Sequence, residues 1–109
     1  MILSKENNTL VLRLDEENIS DSKTFCSEYT IEVEGHDVIL DALQLPNLNA
    51  HKEALALVLT TFQNKNNTSV IVALPKQYID LPEAWAFVPT QEEAHDFIEL
   101  ERIQRDLGF

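Results

Sequence analysis

The stretch His36–Leu74, HDVILDALQLPNLNAHKEALALVLTTFQNKNNTSVIVAL, decides the fold. It contains two short apolar runs, Val38–Leu40 and Val70–Val72, which are typical of strands covered on both faces of a sheet. The segment between them carries apolar residues at helical spacing from about Ala50 to Phe62. Because a helix that joins two neighbouring strands forms a right-handed crossover, the stretch predicts a β-α-β unit with parallel strands.

Upstream of this unit, the sequence predicts an opening β-hairpin. Met1–Leu3 and Leu10–Leu12 flank a polar turn at Asn7-Asn8, and asparagine tolerates the left-handed backbone that tight hairpin turns require. The acidic segment Asp15–Asn18 follows, and we expect it to form a solvated turn.

The next segment has two interpretations. Ser20 or Asp21 is a good N-cap for a helix with apolar residues at three- and four-residue spacing. The residues Tyr29–Val33 also alternate like a strand, which could turn at Glu34-Gly35. We favour the helix, because a helix that ends at Gly35 leads directly into the buried strand.

Downstream, Asn49 is the predicted N-cap of the crossover helix, and apolar residues cover most of that helix, as expected of one packed deeply on a sheet. The last helix begins with Thr90-x-x-Glu93, the pattern of a capping box. The predicted elements are a strand over 36–43, the crossover helix, a strand over 68–74, a loop or short helix over 75–82, a strand over 84–88 and a helix over 90–107.

The last helix has the clearest signals in the chain. Its early turns are acidic, whereas Arg102 and Arg105 come late, which is the order that the helix dipole favours. Glu101 lies four residues before Arg105, where opposite charges attract. Gly108 followed by Phe109 resembles a C-terminal cap. The predicted apolar side consists of Ala94, Phe97, Ile98, Ile103 and Leu107.

The composition indicates one globular domain over residues 1–109. Hydrophobic residues make up 44% of the 109 residues, and a chain of this length buries roughly two thirds of its surface. There are 19 acidic and 8 basic residues, which gives a formal charge of −11. Such a surface repels nucleic acids and anionic membranes, so we expect neither as a partner. A basic protein surface would be attracted.

The sequence also bears on the compartment. Cys26 is the only cysteine, which excludes an intramolecular disulfide and fits a reducing environment. The first six residues show no signal-peptide pattern, and no apolar stretch approaches the roughly 18 residues that a membrane-spanning helix needs. We therefore expect a cytoplasmic protein.

The order of predicted elements, β-β-α-β-α-β-β-α, resembles the STAS family, the fold of the anti-sigma-factor antagonists. The resemblance depends on a strand that ends with Val38-Ile39-Leu40-Asp41 and on a helix that begins near Asn49-Ala50. The run from Val88 to Phe109 looks like a group of small bacterial STAS-like proteins, some of which carry a ribonuclease Z label. The resemblance implies an α/β fold in which three helices pack against a mixed sheet of four or five strands.

The resemblance also implies a docking surface at the start of the crossover helix. In signalling members of the family an Asp-Ser pair opens that helix, and a kinase phosphorylates the serine. The equivalent pair here is Asn49-Ala50, and the absence of a hydroxyl at Ala50 excludes phosphorylation at this position. The exposed amides of the helix start could still meet a partner or an anion. The predicted docking residues are Asn47, Leu48, Asn49, Ala50 and His51.

Trp85 is a further candidate contact residue. It lies near a predicted sheet edge, where aromatic residues often anchor interfaces. We favour a structural role for this side chain, either packing in the core or covering the long C-terminal helix. Self-association through the same edge would give a homodimer.

Enzymatic functions find less support in the sequence. A ribonuclease Z site needs a two-metal cluster of ligands, which three scattered histidines cannot assemble. Asp41, at the end of a buried strand where α/β sites form, could act with His36 or His51 in a minor enzyme or a small ligand-binding protein. An aspartate at that point also caps turns. With only two glycines, the chain has no Gly-rich phosphate loop to support nucleotide binding.

Two other groups of residues have the composition of a catalytic or metal site. Cys26 and His51 would form a thiol–imidazole pair only if the fold brought them together, and a lone cysteine on an apolar helix face is typical of a core residue. His95 has Glu92 and Glu99 on the same helix face, but a metal site would require a second ligand-bearing segment. We therefore expect no metal and no cofactor, and the sequence favours a non-enzymatic cytoplasmic module that binds another protein.

Overall fold

The structure is a computed structural model that describes residues 2–63 and 67–108. Its centre is one five-stranded sheet with the strand order β1-β2-β3-β4-β5. The first two strands are antiparallel, and every other neighbouring pair is parallel. The strands and α-helices are β1 (Ile2–Glu6), β2 (Thr9–Arg13), α1 (Glu16–Ser20), α2 (Ser22–Val33), β3 (Asp37–Asp41), α3 (Lys52–Phe62), β4 (Ser69–Val72), β5 (Phe87–Val88) and α4 (Gln91–Asp106).

The predicted β-α-β unit is confirmed. Strands β3 and β4 are parallel, with Ile39 opposite Val70 and Leu40 opposite Ile71, and α3 forms the crossover between them. All five residues of β3 are buried, because β3 is the central strand and helices cover both faces of the sheet. The mixed α/β architecture is consistent with a STAS-like fold.

Successive residues of the strands point to two separate cores. One face carries Leu10, Leu12 and Leu40, which pack with α1, α2 and α3. The other face carries Val11, Ile39, Val70 and Val72, which pack with Ala94 and Ile98 of α4. Helix α4 therefore covers one side of the sheet, and the three earlier helices cover the other side.

The sequence only partly predicted the structure of the first 35 residues. The hairpin turn is confirmed, with positive φ angles of 53° at Asn7 and 60° at Asn8. Asp21 caps α2, which extends through Val33 and ends before Gly35 at a φ of 77°, so the strand alternative for 29–33 is wrong. The segment expected to be a solvated turn instead forms the short helix α1, which raises the number of α-helices from three to four.

The start of the crossover helix differs from the prediction. Asn47, not Asn49, is the capping residue, and its side chain accepts a hydrogen bond from the Asn49 amide. A turn of 3₁₀ helix over Leu48–His51 comes first, and α3 begins only at Lys52. Ala50 consequently lies in the third position of this turn, and Asn49 is available for a different contact.

The last strand and helix also depart from the prediction in detail. Strand β5 has only two residues, so Trp85 lies before it in the loop, and the segment 75–82 contains a single 3₁₀ turn, Pro75–Gln77. On α4, Ile103 and Leu107 are exposed rather than packed on the sheet. The inner side of these turns is occupied by Arg102 and Arg105, which contact the sheet through Asp37.

Three regions of the predicted pattern lie outside the described residues: Met1 of the hairpin, residues 64–66 after α3, and Phe109 of the C-terminal cap. Gly108, with a φ of 81° and its amide bound to the Arg105 carbonyl, ends α4 as predicted. Across residues 2–63 and 67–108, no helix combines the length and apolar character needed to cross a bilayer.

Candidate functional site

The carboxyl end of β3 is closed by Asp41. This carboxylate is buried, and its Oδ1 accepts a hydrogen bond from the Leu43 amide at 3.1 Å. Its Oδ2 accepts a bond from Gln91 Nε2 at 2.9 Å, at the first turn of α4. Asp41 thus caps the loop after β3 and ties it to α4, and both of its oxygens are engaged in these contacts.

A second buried polar residue, Gln77, joins this loop to the loop after β4. Its Nε2 donates to the carbonyls of Ala42, at 2.9 Å, and of Leu45. Its Oε1 accepts from the Leu74 amide at 2.8 Å. The side chain therefore pairs the Leu45 carbonyl and the Leu74 amide, and it adds a second bond to the Ala42 carbonyl, which also accepts from the Leu45 amide. No local pattern in the sequence marks Gln77, because its partners lie up to 35 positions away in the chain.

Asn49 fixes the predicted docking turn, Asn47–His51, to the loop that follows β4. The Ile79 amide donates to Asn49 Oδ1 at 2.7 Å, and Asn49 Nδ2 donates to the Ile79 carbonyl. These two bonds form a small ladder between the turn and the loop. Leu48 anchors the inner side of the turn, since its side chain is 0% exposed and packs in the core beneath α3.

The outer surface of the turn is open to solvent. Asn47, Asn49 and Ala50 are exposed and His51 is half-buried, whereas the buried Leu48 supports this surface without contributing to it. Open grooves of about 640 and 600 Å³ lie on the two sides, and Asn49 lines both. The turn is therefore a ridge between two grooves. We refer to Asn47, Asn49, Ala50 and His51 as the ridge.

Charged side chains of both signs line these grooves. His51, Lys52 and Glu53 line the larger one, which reaches across to the junction of α1 and α2. Lys76 and Asp80 line the smaller one. Two lysines near the ridge make its surroundings less acidic than the composition of the whole chain, in which acids outnumber bases 19 to 8.

Trp85 does not belong to the ridge. Its half-buried side chain packs against the core, and its ring lies 6.4 Å from the ring of Phe87. Phe87 in turn stacks on Tyr78 at 4.2 Å, and Tyr78 lines the smaller groove beside Asn49. A row of aromatic rings therefore runs from the ridge side toward Trp85, which itself lines a different and smaller groove with Leu59.

His36 and Asp41, two residues of the alternative enzyme hypothesis, lie apart. His36 precedes β3 and Asp41 ends it, so about 3.3 Å per residue places them roughly 16 Å apart along the strand. The His36 ring is paired locally, with Nδ1 at 3.0 Å from the Glu34 carbonyl. The structure does not bring these two side chains together as an acid–base pair.

Cys26 and His51 are separated as well. Burial raises the pKa of the Cys26 thiol, and a smaller opposing effect comes from its hydrogen bond with Thr61. Thr61 is ten residues beyond His51 on the same helical segment, a distance of about 15 Å at 1.5 Å per residue. Cys26 is therefore a protonated core thiol at neutral pH, away from the imidazole.

His95, Glu92 and Glu99 are all exposed on α4. Within the parts of the chain that the structure describes, no group of three or more histidine, cysteine or acidic residues is arranged to hold a metal ion. Glu6 of β1 lines a groove with His95 and Glu99, but among the described residues these side chains do not form a group that could hold a metal ion.

A separate polar cluster at the amino end of β3 is structural. Asp37 is 5% exposed, and it accepts bonds from Arg102 Nε at 2.6 Å and from the Thr68 amide at 2.7 Å. Arg105 contacts both oxygens of the same carboxylate at 3.2 Å. Arg102 and Arg105, whose positions near the end of α4 are also favoured by the helix dipole, thus attach α4 to the sheet.

The chain was also compared with protein-family models, with curated proteins and with solved structures, and none of the three comparisons gives a match.

Proposed function

We propose that this chain is a non-enzymatic protein-interaction module of the STAS type, and that it docks another protein through the ridge. The observation that carries the proposal is the construction of the ridge. A solvent-exposed turn is held by side-chain hydrogen bonds, with Asn47 as its cap and Asn49 bonded to Ile79. The order and direction of the strands support the same assignment.

A turn fixed in this way suits docking for an energetic reason. Ordering a loop on binding costs conformational free energy, and a preorganised surface avoids most of that cost. Here the Asn49–Ile79 bonds and the buried Leu48 already restrict the backbone. The grooves on both sides give a partner two concave surfaces next to a convex one.

The residue at position 50 defines how such a module would be regulated. Ala50 is exposed but has no hydroxyl, so docking would not be switched by phosphorylation at this residue. Phosphorylation at this position would therefore play no part in controlling the complex. The single buried cysteine fits a cytoplasmic location for this complex.

Photo-crosslinking in native cells tests the proposal. Ala50 is replaced by p-benzoylphenylalanine, and the matched control carries the same residue at Ile31, which is 81% exposed on α2. We expect irradiation to give a discrete crosslinked protein from position 50 and not from position 31. The variant Ala50→Arg should remove the same protein from complexes purified without irradiation. Equal crosslinking at both positions, or none at position 50, contradicts ridge docking.

The alternative is a small ligand-binding or nucleotide-binding protein, or a minor enzyme, that uses Asp41, His36 or His51. The separation of His36 from Asp41 and the engagement of both Asp41 oxygens weigh against it. A thermal-shift screen against nucleotides, metal ions and metabolites distinguishes the two functions. A shift of several degrees with one ligand class, lost in Asp41→Asn, would favour the alternative.

A further inference from the structure

Helix α4 has an apolar surface on the side that faces away from the sheet. Leu100, Ile103 and Leu107 are 55, 50 and 65% exposed. Their spacing of three and four residues places them on one side of the helix. Ala94 and Ile98 occupy the opposite side and are buried against β3 and β4. We call the three exposed side chains the outer face of α4.

Acidic residues border this outer face. Asp96 precedes Leu100 by four residues and Glu99 precedes Ile103 by four, so each carboxylate lies one turn from an apolar side chain. Both acids are exposed. The two arginines of the helix point to the other side, where they bind Asp37. Among the exposed residues of α4, every side chain that carries a formal charge is acidic.

The charges decide what fits this surface. A second copy of the chain would bring one acidic border against another, and each copy carries a formal charge of −11. Nucleic acids and anionic membranes are repelled for the same reason. A protein segment with apolar residues between lysines or arginines matches both the apolar centre and the acidic border.

The shape of the surface also indicates the form of the partner. The outer face extends from Leu100 to Leu107, the residue that caps the end of α4, which is a rise of about 10 Å at 1.5 Å per residue. A row of three apolar side chains with this length matches apolar residues at i, i+3 or i+4, and i+7 of another helix. We infer that the outer face of α4 docks a basic amphipathic helix, independently of the ridge, which lies on the other face of the sheet.

A synthetic peptide tests this inference directly. The probe is a lysine-rich helical peptide with leucines at i, i+3, i+4 and i+7, and its controls are a scrambled peptide of the same composition and a peptide with glutamates in place of the lysines. Fluorescence anisotropy measures binding to the full chain. We expect binding of the amphipathic basic peptide, at least about tenfold tighter than binding of either control peptide, a difference of about 1.4 kcal/mol.

Variants of the protein locate the binding surface. Leu100→Ser with Ile103→Ser should weaken binding at least about tenfold. The matched control is Ile31→Ser with Ile79→Ser, which removes two side chains that are 81 and 72% exposed on other parts of the molecule and should leave binding unchanged. Asp96→Asn with Glu99→Gln should weaken binding more than Glu16→Gln with Glu17→Gln, which changes the net charge equally.

Several outcomes would overturn the inference. These are equal binding of the scrambled peptide, absence of binding, or equal losses in the test and control variants. Sedimentation of the wild-type chain completes the test. A dimer that dissociates in Leu100→Ser with Ile103→Ser would show that a second copy, not a basic helix, covers this face. Because every altered side chain is exposed, circular dichroism should show unchanged folding in each variant.

Discussion

Gln77 binds three backbone groups of two different loops, and it holds the loop after β3 against the loop after β4. Its sequence neighbourhood, Pro75-Lys76-Gln77-Tyr78, gives no sign of this role. Residues whose partners lie nearby in the chain were easier to predict. Asn7 in the hairpin turn and Gly35 at the end of α2 both carry local signals, because each needs a left-handed backbone.

Gln77→Leu should therefore destabilise the protein strongly. The substitution leaves the Leu45 carbonyl and the Leu74 amide without their side-chain partner, whereas the Ala42 carbonyl keeps its bond from the Leu45 amide. Each unpaired buried group costs about 1–3 kcal/mol. Allowing for relaxation and water entry, we expect a loss of about 2–4 kcal/mol in the free energy of unfolding by urea. Gln44→Leu, at an exposed loop position, should change it by less than about 0.5 kcal/mol. Similar values for both variants would contradict the role of Gln77.

Cys26 should make stability depend on pH in the alkaline range. Burial raises the pKa of its thiol, so the folded protein retains a proton that the unfolded chain releases. This contribution is fully present below the unfolded thiol pKa of about 8.5, and it is lost as the pH rises toward the higher folded value. The free energy of unfolding of the wild type should fall more steeply between about pH 8 and 10 than that of Cys26→Ala. Tyr29, whose pKa is also raised, is present in both proteins, so parallel slopes would contradict the expectation.

At the scale of elements, the sequence predicted those whose signals are long or repeated. The two apolar runs and the helix between them were sufficient for the β-α-β unit, and the sixteen residues of α4 were unmistakable. The five-residue helix α1 was missed, because one buried residue, Ile19, creates no periodicity. The exact start of the crossover helix was missed because Asn47 and Asn49 are equally good caps, and only the contact with Ile79 distinguishes them.

The position of the ridge should depend on Asn49. Asn49→Ala removes both bonds to Ile79 but leaves the cap from Asn47 in place. We expect the Ile79 amide to exchange with deuterium at least about tenfold faster, because its acceptor is lost and local opening becomes easier. Asn47→Ala, which removes the neighbouring cap, is the control and should leave the Ile79 amide protected. Equal exchange in the two variants would mean that the loop is held by other contacts.

The attachment of α4 to the sheet depends on Asp37. The carboxylate is buried, while the side chains of Arg102 and Arg105 are 33 and 26% exposed. Breaking a fully buried ion pair costs about 3–5 kcal/mol, and partial exposure of the arginines should reduce this to about 2–3 kcal/mol for Asp37→Asn. Combined with Arg102→Gln, a double-mutant cycle should give a coupling energy of about 1–2 kcal/mol. Asp106→Asn, at an exposed position, is the control, and additive effects would show that the pair is not coupled.

At the scale of the whole molecule, the composition predicted one acidic domain, and the described residues form a single sheet with two cores. The sequence could not show which helix covers which face of the sheet, because the apolar strands carry hydrophobic residues on both sides. It also could not show that Ile103 and Leu107 stay exposed. Their helical spacing suits packing, but the Asp37 cluster turns α4 so that its arginines face inward.

The edges of the sheet bear on self-association. Strand β5 offers only two residues to a neighbouring strand, and the chain carries a formal charge of −11. A short edge and like charges both oppose strand addition. We therefore expect sedimentation equilibrium to give the mass of one chain, 12.4 kDa, at both low and high protein concentrations. A dimer that Trp85→Ser dissociates would instead support pairing through the β5 edge.

The placement of helices on both sides of the sheet has a consequence for assembly. The ridge belongs to the side of α3, and the outer face of α4 belongs to the other, so the thickness of the domain separates them. Two proteins bound at these positions would not collide. A chain of 109 residues could in this way serve as a small adaptor that tethers two molecules in a ternary complex.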